Sequence, residues 1–78
     1  MPLYFFHVSG CQLETDAGEG LYYPDDLAAR TAALAGARGM IAEEVLHGRL
    51  DLDCRIDIAD ENGTILFSVP FASALDRA

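Results

Sequence analysis

Lysine and tryptophan are absent from this chain, and cysteine occurs only twice. Thirteen acids stand against five arginines, for a formal charge of −8. Nucleic-acid binding requires clustered cations, so this balance argues against it. Attraction to an anionic membrane surface is opposed for the same reason. A basic partner is allowed, although acidity also serves solubility alone. No apolar run approaches the roughly 20 residues of a membrane span. The opening Met1 to His7 lacks the basic start and long apolar stretch of a signal peptide, so the expected location is the cytoplasm. Cys11 and Cys54 show no Cys-x-x-Cys spacing. In a reducing compartment both are expected as free thiols, and export would permit a bond between them.

Several chemistries lack their pattern. Asp51, Asp53, Asp57, Asp60, Glu61 and Asn62 suggest calcium, but aligning Gly63 with the glycine of the helix–loop–helix motif puts Ile58 first and Val69 last, where acids are needed. A solvated acidic turn explains them better. Zinc would draw on His7, Cys11, His47 and Cys54, of which only His7 and Cys11 are close in sequence. A thiol nucleophile needs a histidine beside it, yet Cys54 shares a strand face with Ile56 and Ile58 and reads as a small core residue. Glu43 and Glu44 are about 100° apart on a helix and do not converge. Gly18-Glu19-Gly20 has neither the lysine nor the preceding strand of a phosphate loop. No catalytic, cofactor-binding or metal-binding residues are assigned.

What is present is one long helix, Asp25 to Gly48. Asp25 and Asp26 can accept hydrogen bonds from the first turn and suit the positive end of the helix dipole. Gly48 provides a left-handed stop. Leu27, Leu34, Ile41 and Val45 fall on one line, flanked by Ala28, Ala32, Ala35, Ala42 and Leu46. The opposite side carries Arg30, Ala33, Gly36, Glu44 and His47. The leucine–isoleucine line is therefore expected to cover a sheet or a partner. Arg38 interrupts it, with its stem packed and its head reaching an acid or solvent; a sharper alternative buries it against a strand carboxylate such as Asp57, or makes it an anion-binding group. Gly36 and Gly39 weaken the helix interior, or admit another backbone.

The flanks read as strands. Leu3 to Ser9 puts Tyr4, Phe6 and Val8 inward and Leu3, Phe5 and His7 outward. Gln12 to Thr15 is expected as a weak second strand. Leu21-Tyr22-Tyr23 leads into the helix. Cys54 to Ala59 alternates Cys54, Ile56 and Ile58 against Arg55, Asp57 and Ala59. Thr64 to Val69 follows the turn Asp60-Glu61-Asn62-Gly63. An even loop is expected there, with Asn62-Gly63 as the turn signal: two residues pair Ile58 with Phe67 and Ile56 with Val69, four pair Ile58 with Ile65 and Ile56 with Phe67, and an odd loop puts Ile56 and Ile58 on the face of Leu66 and Ser68. Phe71 and Leu75 are spaced to form a closing helical turn. Residues 1–78 thus read as a single α+β domain of order β-β-α-β-β, two layers, with one long helix on a four-stranded, mainly antiparallel sheet.

The segments Pro2-Leu3-Tyr4-Phe5-Phe6-His7-Val8, Asp26-Leu27-Ala28-Ala29-Arg30 with Ala37-Arg38, Asp60-Glu61-Asn62-Gly63, and Val69-Pro70-Phe71 with Ala74-Leu75 occur in that order. Together they resemble a family of short alphaproteobacterial proteins that carry a domain of unknown function. The resemblance implies a small stand-alone cytoplasmic domain and carries over no activity.

Two functional readings follow. The first is a non-enzymatic interaction or regulatory module acting as a homodimer, since a single helix leaves one sheet face to offer Phe5, His7, Ala59 and Leu66. The second is a small-molecule or peptide-binding domain, or a cryptic enzyme, using His7, Arg38 and nearby carboxylates. The candidate interaction residues are Phe5, His7, Arg38 and Leu66.

Overall fold

The computed structural model describes residues 1–11 and 18–75. Its elements are strand β1 (Leu3–Ser9), strand β2 (Leu21–Tyr22), helix α1 (Asp26–Leu46), strand β3 (Arg55–Ala59), strand β4 (Ile65–Pro70) and a 3₁₀ segment (Phe71–Leu75). The sheet order is β2-β1-β3-β4, and every neighbouring pair is antiparallel. The fold is α+β, in the order β-β-α-β-β. Its second strand is Leu21–Tyr22, which pairs with Tyr4 and Leu3. The stretch expected for that strand, Gln12 to Thr15, lies outside the described residues.

The helix ends where its caps dictate. The Asp25 side chain accepts from the Ala28 N–H at 2.8 Å. At the far end, His47 and Gly48 return their N–H groups to the carbonyls of Glu44 and Val45, and Gly48 takes φ +76°. The helix runs unbroken through Gly36 and Gly39.

Which side of it faces the sheet differs from expectation. The buried residues are Ala29, Ala33, Ala37 and Ile41. Leu27 is 70% exposed and Val45 56% exposed. Ala33, assigned to the wet side by hydrophobicity, is 2% exposed. The reason is steric. An i, i+4 ridge of alanines lets the helix backbone approach the sheet closely, and the bulky residues splay to the flanks. Leu34 lies at the border of the core, packed but half-buried.

Against that ridge stand Tyr4, Val8, Ile56, Ile58 and Val69, with Phe6 and Phe67 at the margins. Tyr23 leads into the helix and packs its ring on Tyr4 and Phe6, at centroid distances of 6.2 and 5.9 Å. The Tyr4 hydroxyl donates to the Asp26 carboxylate at 2.7 Å, tying β1 to the first helical turn. That hydrogen bond is the main reason the phenol is pushed up to about 12. The 3₁₀ segment closes the end of the core with Phe71 and Ala74, while Leu75 stays 52% exposed.

The β3–β4 hairpin pairs Ile56 with Val69 and Ile58 with Phe67, as an even loop would. The loop itself is not even. Gly63 N–H bonds the Asp60 carbonyl, and Asp60 N–H bonds the Thr64 carbonyl, so the tip is Glu61-Asn62-Gly63. Gly63 takes φ +85°, the left-handed position this turn requires. An odd loop would reverse every face, but a bulge shifts the register between Ile58 and Ala59. The extra residue on β4 restores the alternation.

Cys11 and Cys54, expected as free thiols, form a disulfide. They are 43 positions apart in sequence, and their Cα atoms lie 4.9 Å apart. The bridge sits just beyond the Ser9–Arg55 pair, where β1 ends and β3 begins. No sequence spacing marks it, because the strand pairing is what brings the two residues together.

Candidate functional site

The side of the sheet away from the helix is built around one acid. Asp57 lies at the centre of β3 and is 3% exposed. Its flanking strands place His7 and Ser68 directly across from it. Its Oδ1 accepts from Ser68 Oγ at 2.5 Å and from Arg55 Nε at 3.0 Å. Its Oδ2 accepts from Ser9 Oγ at 2.6 Å, and His7 Nε2 lies 3.5 Å away. Burial pushes this carboxyl up, but the hydrogen bonds from Ser68, Ser9 and Arg55 outweigh it and hold it below the usual carboxylate range. Both serine protons are spent on the carboxylate and not aimed at the imidazole. The cluster therefore lacks the nucleophile–base contact of a serine hydrolase.

His7 is at the rim, its side chain 28% exposed. With Phe5, Ala59, Asp60, Glu61 and Gly63 it lines an open hollow of about 270 Å³. Ala59, expected to be on show, is 5% exposed. At the other end of this face, Gly20 comes so close to Leu3 and Phe5 that a Cβ there would lie 2.6 Å from Leu3 Cδ1.

A second surface runs along β4. Among the described residues this strand has a neighbour on one side only. Ile65-Leu66-Phe67-Ser68-Val69-Pro70 contains no charged side chain. Ile65 is 52% and Leu66 43% exposed. Leu66, Phe67 and Ser68 meet Asp26, Leu27 and Arg30 of the helix around a groove of about 390 Å³.

The candidate interaction residues thus separate. Phe5 and His7 share one hollow, and Leu66 belongs to the β4 groove. Arg38 joins neither. It is exposed, and its Nε donates to the Ala74 carbonyl at 3.0 Å, anchoring the 3₁₀ segment to the helix. The pairing of Arg38 with Asp57 is overturned, since Arg55 holds that acid. Gly36 and Gly39 have open space where a side chain would project.

Sequence reasoning also missed a grouping at the disulfide. Among the described residues, Cys11, Asp51 and Cys54 bring three potential metal-ligand atoms within 4.8 Å of one another. Asp51 sits in the connector after the helix, which the spacing of cysteines and histidines alone could not point to. No described helix is long and apolar enough to cross a membrane.

A family model described as a domain of unknown function, DUF6894, matches residues 3–72. No curated protein and no solved structure matches the chain.

Proposed function

Since the chain belongs to the DUF6894 family, whose domain is of unknown function, we propose that it is a non-enzymatic interaction module that pairs with a second copy of itself through β4. The observation that carries this reading is the uncharged edge strand with Ile65 and Leu66 exposed beside Leu27. Unpaired strand edges bind other strands, and soluble proteins ordinarily blunt them with charge. Here there is no charge, and only Pro70 at the strand's last position and the bulge beside Leu66 interrupt the edge. Two antiparallel β4 strands related by a two-fold axis would extend the sheet and bury both copies of Leu66 and Leu27. The proposed setting is the cytoplasm, where thiols would hold the Cys11–Cys54 pair reduced and acidity keeps the particle soluble.

Light scattering on a size-exclusion column tests the pairing. The expected mass is twice the 8.4 kDa of one chain. Leu66→Arg is expected to halve it while leaving the circular dichroism unchanged, because Leu66 is outside the core. A wild-type chain that stays monomeric up to millimolar concentration sinks the proposal.

A second reading is favoured by the hollow at His7. A small ligand or peptide with a basic group would meet Glu61 and Asp60 at its rim and Phe5 on its wall. Nuclear magnetic resonance titration with short basic peptides would shift the His7 and Phe5 signals if this holds, and leave them unmoved if it does not.

A further inference from the structure

We propose that when the Cys11–Cys54 bridge is reduced, the two cysteine sulfurs and the Asp51 carboxylate form a binding site for zinc or a similar soft divalent cation. This inference is independent of the pairing through β4. It starts from the three ligand atoms lying within 4.8 Å of one another. Tetrahedral zinc with Zn–S near 2.3 Å and Zn–O near 2.1 Å spaces its donors roughly 3.4–3.8 Å apart. The Asp51 carboxylate thus lies within 4.8 Å of both sulfurs, and once the bridge opens the two sulfurs have to part from bonded contact to that donor spacing. Cys54 is buried and fixed at the start of β3, while Cys11 and Asp51 are half-buried and give a path from solvent.

Asp51 is free to serve. Its Oδ1 accepts from the Asp53 N–H at 2.9 Å, which orients the carboxylate and leaves the other oxygen available. The nearby Arg55, whose charge would oppose a cation, is committed to Asp57. Two thiolates and a carboxylate make a soft, anionic donor set that selects zinc over magnesium or calcium. Three protein ligands leave a fourth position for water or for a ligand from a partner.

The chemistry has two steps. A small dithiol reductant transfers two electrons to the disulfide: the S–S bond breaks, both cysteines leave as thiols, and the reductant becomes its own disulfide. The cation then displaces the two thiol protons to solvent as it binds. A small-molecule disulfide reverses the order: it accepts the two electrons and leaves as two thiols, the Cys11–Cys54 bond re-forms, and the metal is released. The bridge and the metal site are alternative states of the same residues, and a cytoplasm kept reducing by thiols favours the second.

Zinc competition against a chromophoric chelator tests this, with the whole chain, oxidised and reduced in parallel. The reduced chain is expected to hold one zinc, and the oxidised chain none at the same affinity. Asp51→Asn preserves the acceptor for Asp53 N–H and should still fold, but is expected to weaken zinc by about tenfold or more, at least the loss seen when a supporting partner of a ligand is removed. Cobalt binding to the reduced chain should give thiolate charge-transfer absorption, weaker in Cys11→Ser, which keeps only the Cys54 thiolate. A reduced chain that unfolds and regains its circular dichroism on adding zinc supports the proposal equally. It is overturned if the reduced chain does not compete for zinc, if the oxidised chain binds as well, or if Asp51→Asn matches wild type.

Discussion

Opening the Cys11–Cys54 bridge is the perturbation with the largest calculable effect on this fold. The bond closes a loop 43 residues long. In the chain-entropy model such a cross-link lowers the entropy of the unfolded state by an amount worth about 4 kcal/mol at 25 °C. A domain of 78 residues has a total stability of roughly 4–12 kcal/mol. Reduction therefore removes a third or more of it. The melting temperature should fall by about 15–30 °C, at roughly 4–8 °C for each kcal/mol in domains of this size. Urea unfolding with and without reductant, in chelator-treated buffer, measures the difference directly. Cys11→Ser is the matching variant, because Cys11 is only half-buried and a hydroxyl there can reach water. Cys54→Ser should cost more, since it strands a hydroxyl at a site 1% exposed. Reductant should leave Cys11→Ser unchanged. The reasoning fails if mass spectrometry confirms the bond in the starting protein and reduction still costs less than about 1 kcal/mol.

Three further outcomes are expected. Asp57→Ala leaves Ser9, Ser68 and Arg55 without their acceptor; hydrogen bonds to a charged group are worth about 1.5–3 kcal/mol each, discounted here because Arg55 and Ser68 can turn to water, so the loss should be about 2–3 kcal/mol, read by urea denaturation. Because the Asp57 carboxyl is held below its ordinary value, its contribution is complete above the unfolded value near pH 4 and is lost as pH falls through the folded one; the wild type should lose stability across that acid window and Asp57→Asn should lose less, and identical acid limbs would refute the assignment. Ala33→Leu should cost about 1–3 kcal/mol by overpacking the helix–sheet contact, whereas Leu27→Ala, at an exposed position, should stay within about 0.5 kcal/mol in the monomer; the reverse ranking would restore the leucine ridge as the buried face.

The sequence carried the order of elements well because that order depends on local signals. Asp25 and Gly48 mark the helix ends through hydrogen bonds that each makes within a few residues. The alternation in Leu3–Ser9 and Arg55–Ala59 marks strands on its own. The buried helix face was not legible, because hydropathy ranks Leu27 and Val45 above Ala29 and Ala33. What decides the matter is how near the backbone can approach, and that depends on the sheet opposite. The hairpin shows the same limit. Parity placed Ile56 and Ile58 on the face of Phe67 and Val69, but it did not show that an odd loop and a bulge combine to put them there. Asp57 was legible as an acid on a half-buried strand and as a candidate partner for Arg38, but not as the centre of a cluster. Its role needs His7 and Ser9 on one side and Ser68 on the other, and that grouping follows from β1 lying beside β3. Cys11, Asp51 and Cys54 meet for the same reason.

The alanine ridge explains more than the helix orientation. A helix that approaches through Ala29, Ala33 and Ala37 buries little apolar area per turn, since each contributes one methyl group. The molecule spans only 16 Å along its shortest axis. Leu27, Met40, Val45 and Leu46 remain outside, and so do Ile65 and Leu66 on β4. A chain of this length already has a marginal core, and the close approach makes it smaller still. Two kinds of compensation exist for such a deficit: a covalent tie that weakens the unfolded state, or burial of the leftover apolar surface against another molecule. The Cys11–Cys54 bridge is the first. Pairing through β4 would be the second, and the two are thermodynamically linked. If both operate, reduction should make folding depend on protein concentration, because the untied monomer would then rely on its partner. Unfolding midpoints that move with concentration in reductant, but not without it, would show the coupling. Midpoints that ignore concentration in both states would separate the bridge from any role in assembly.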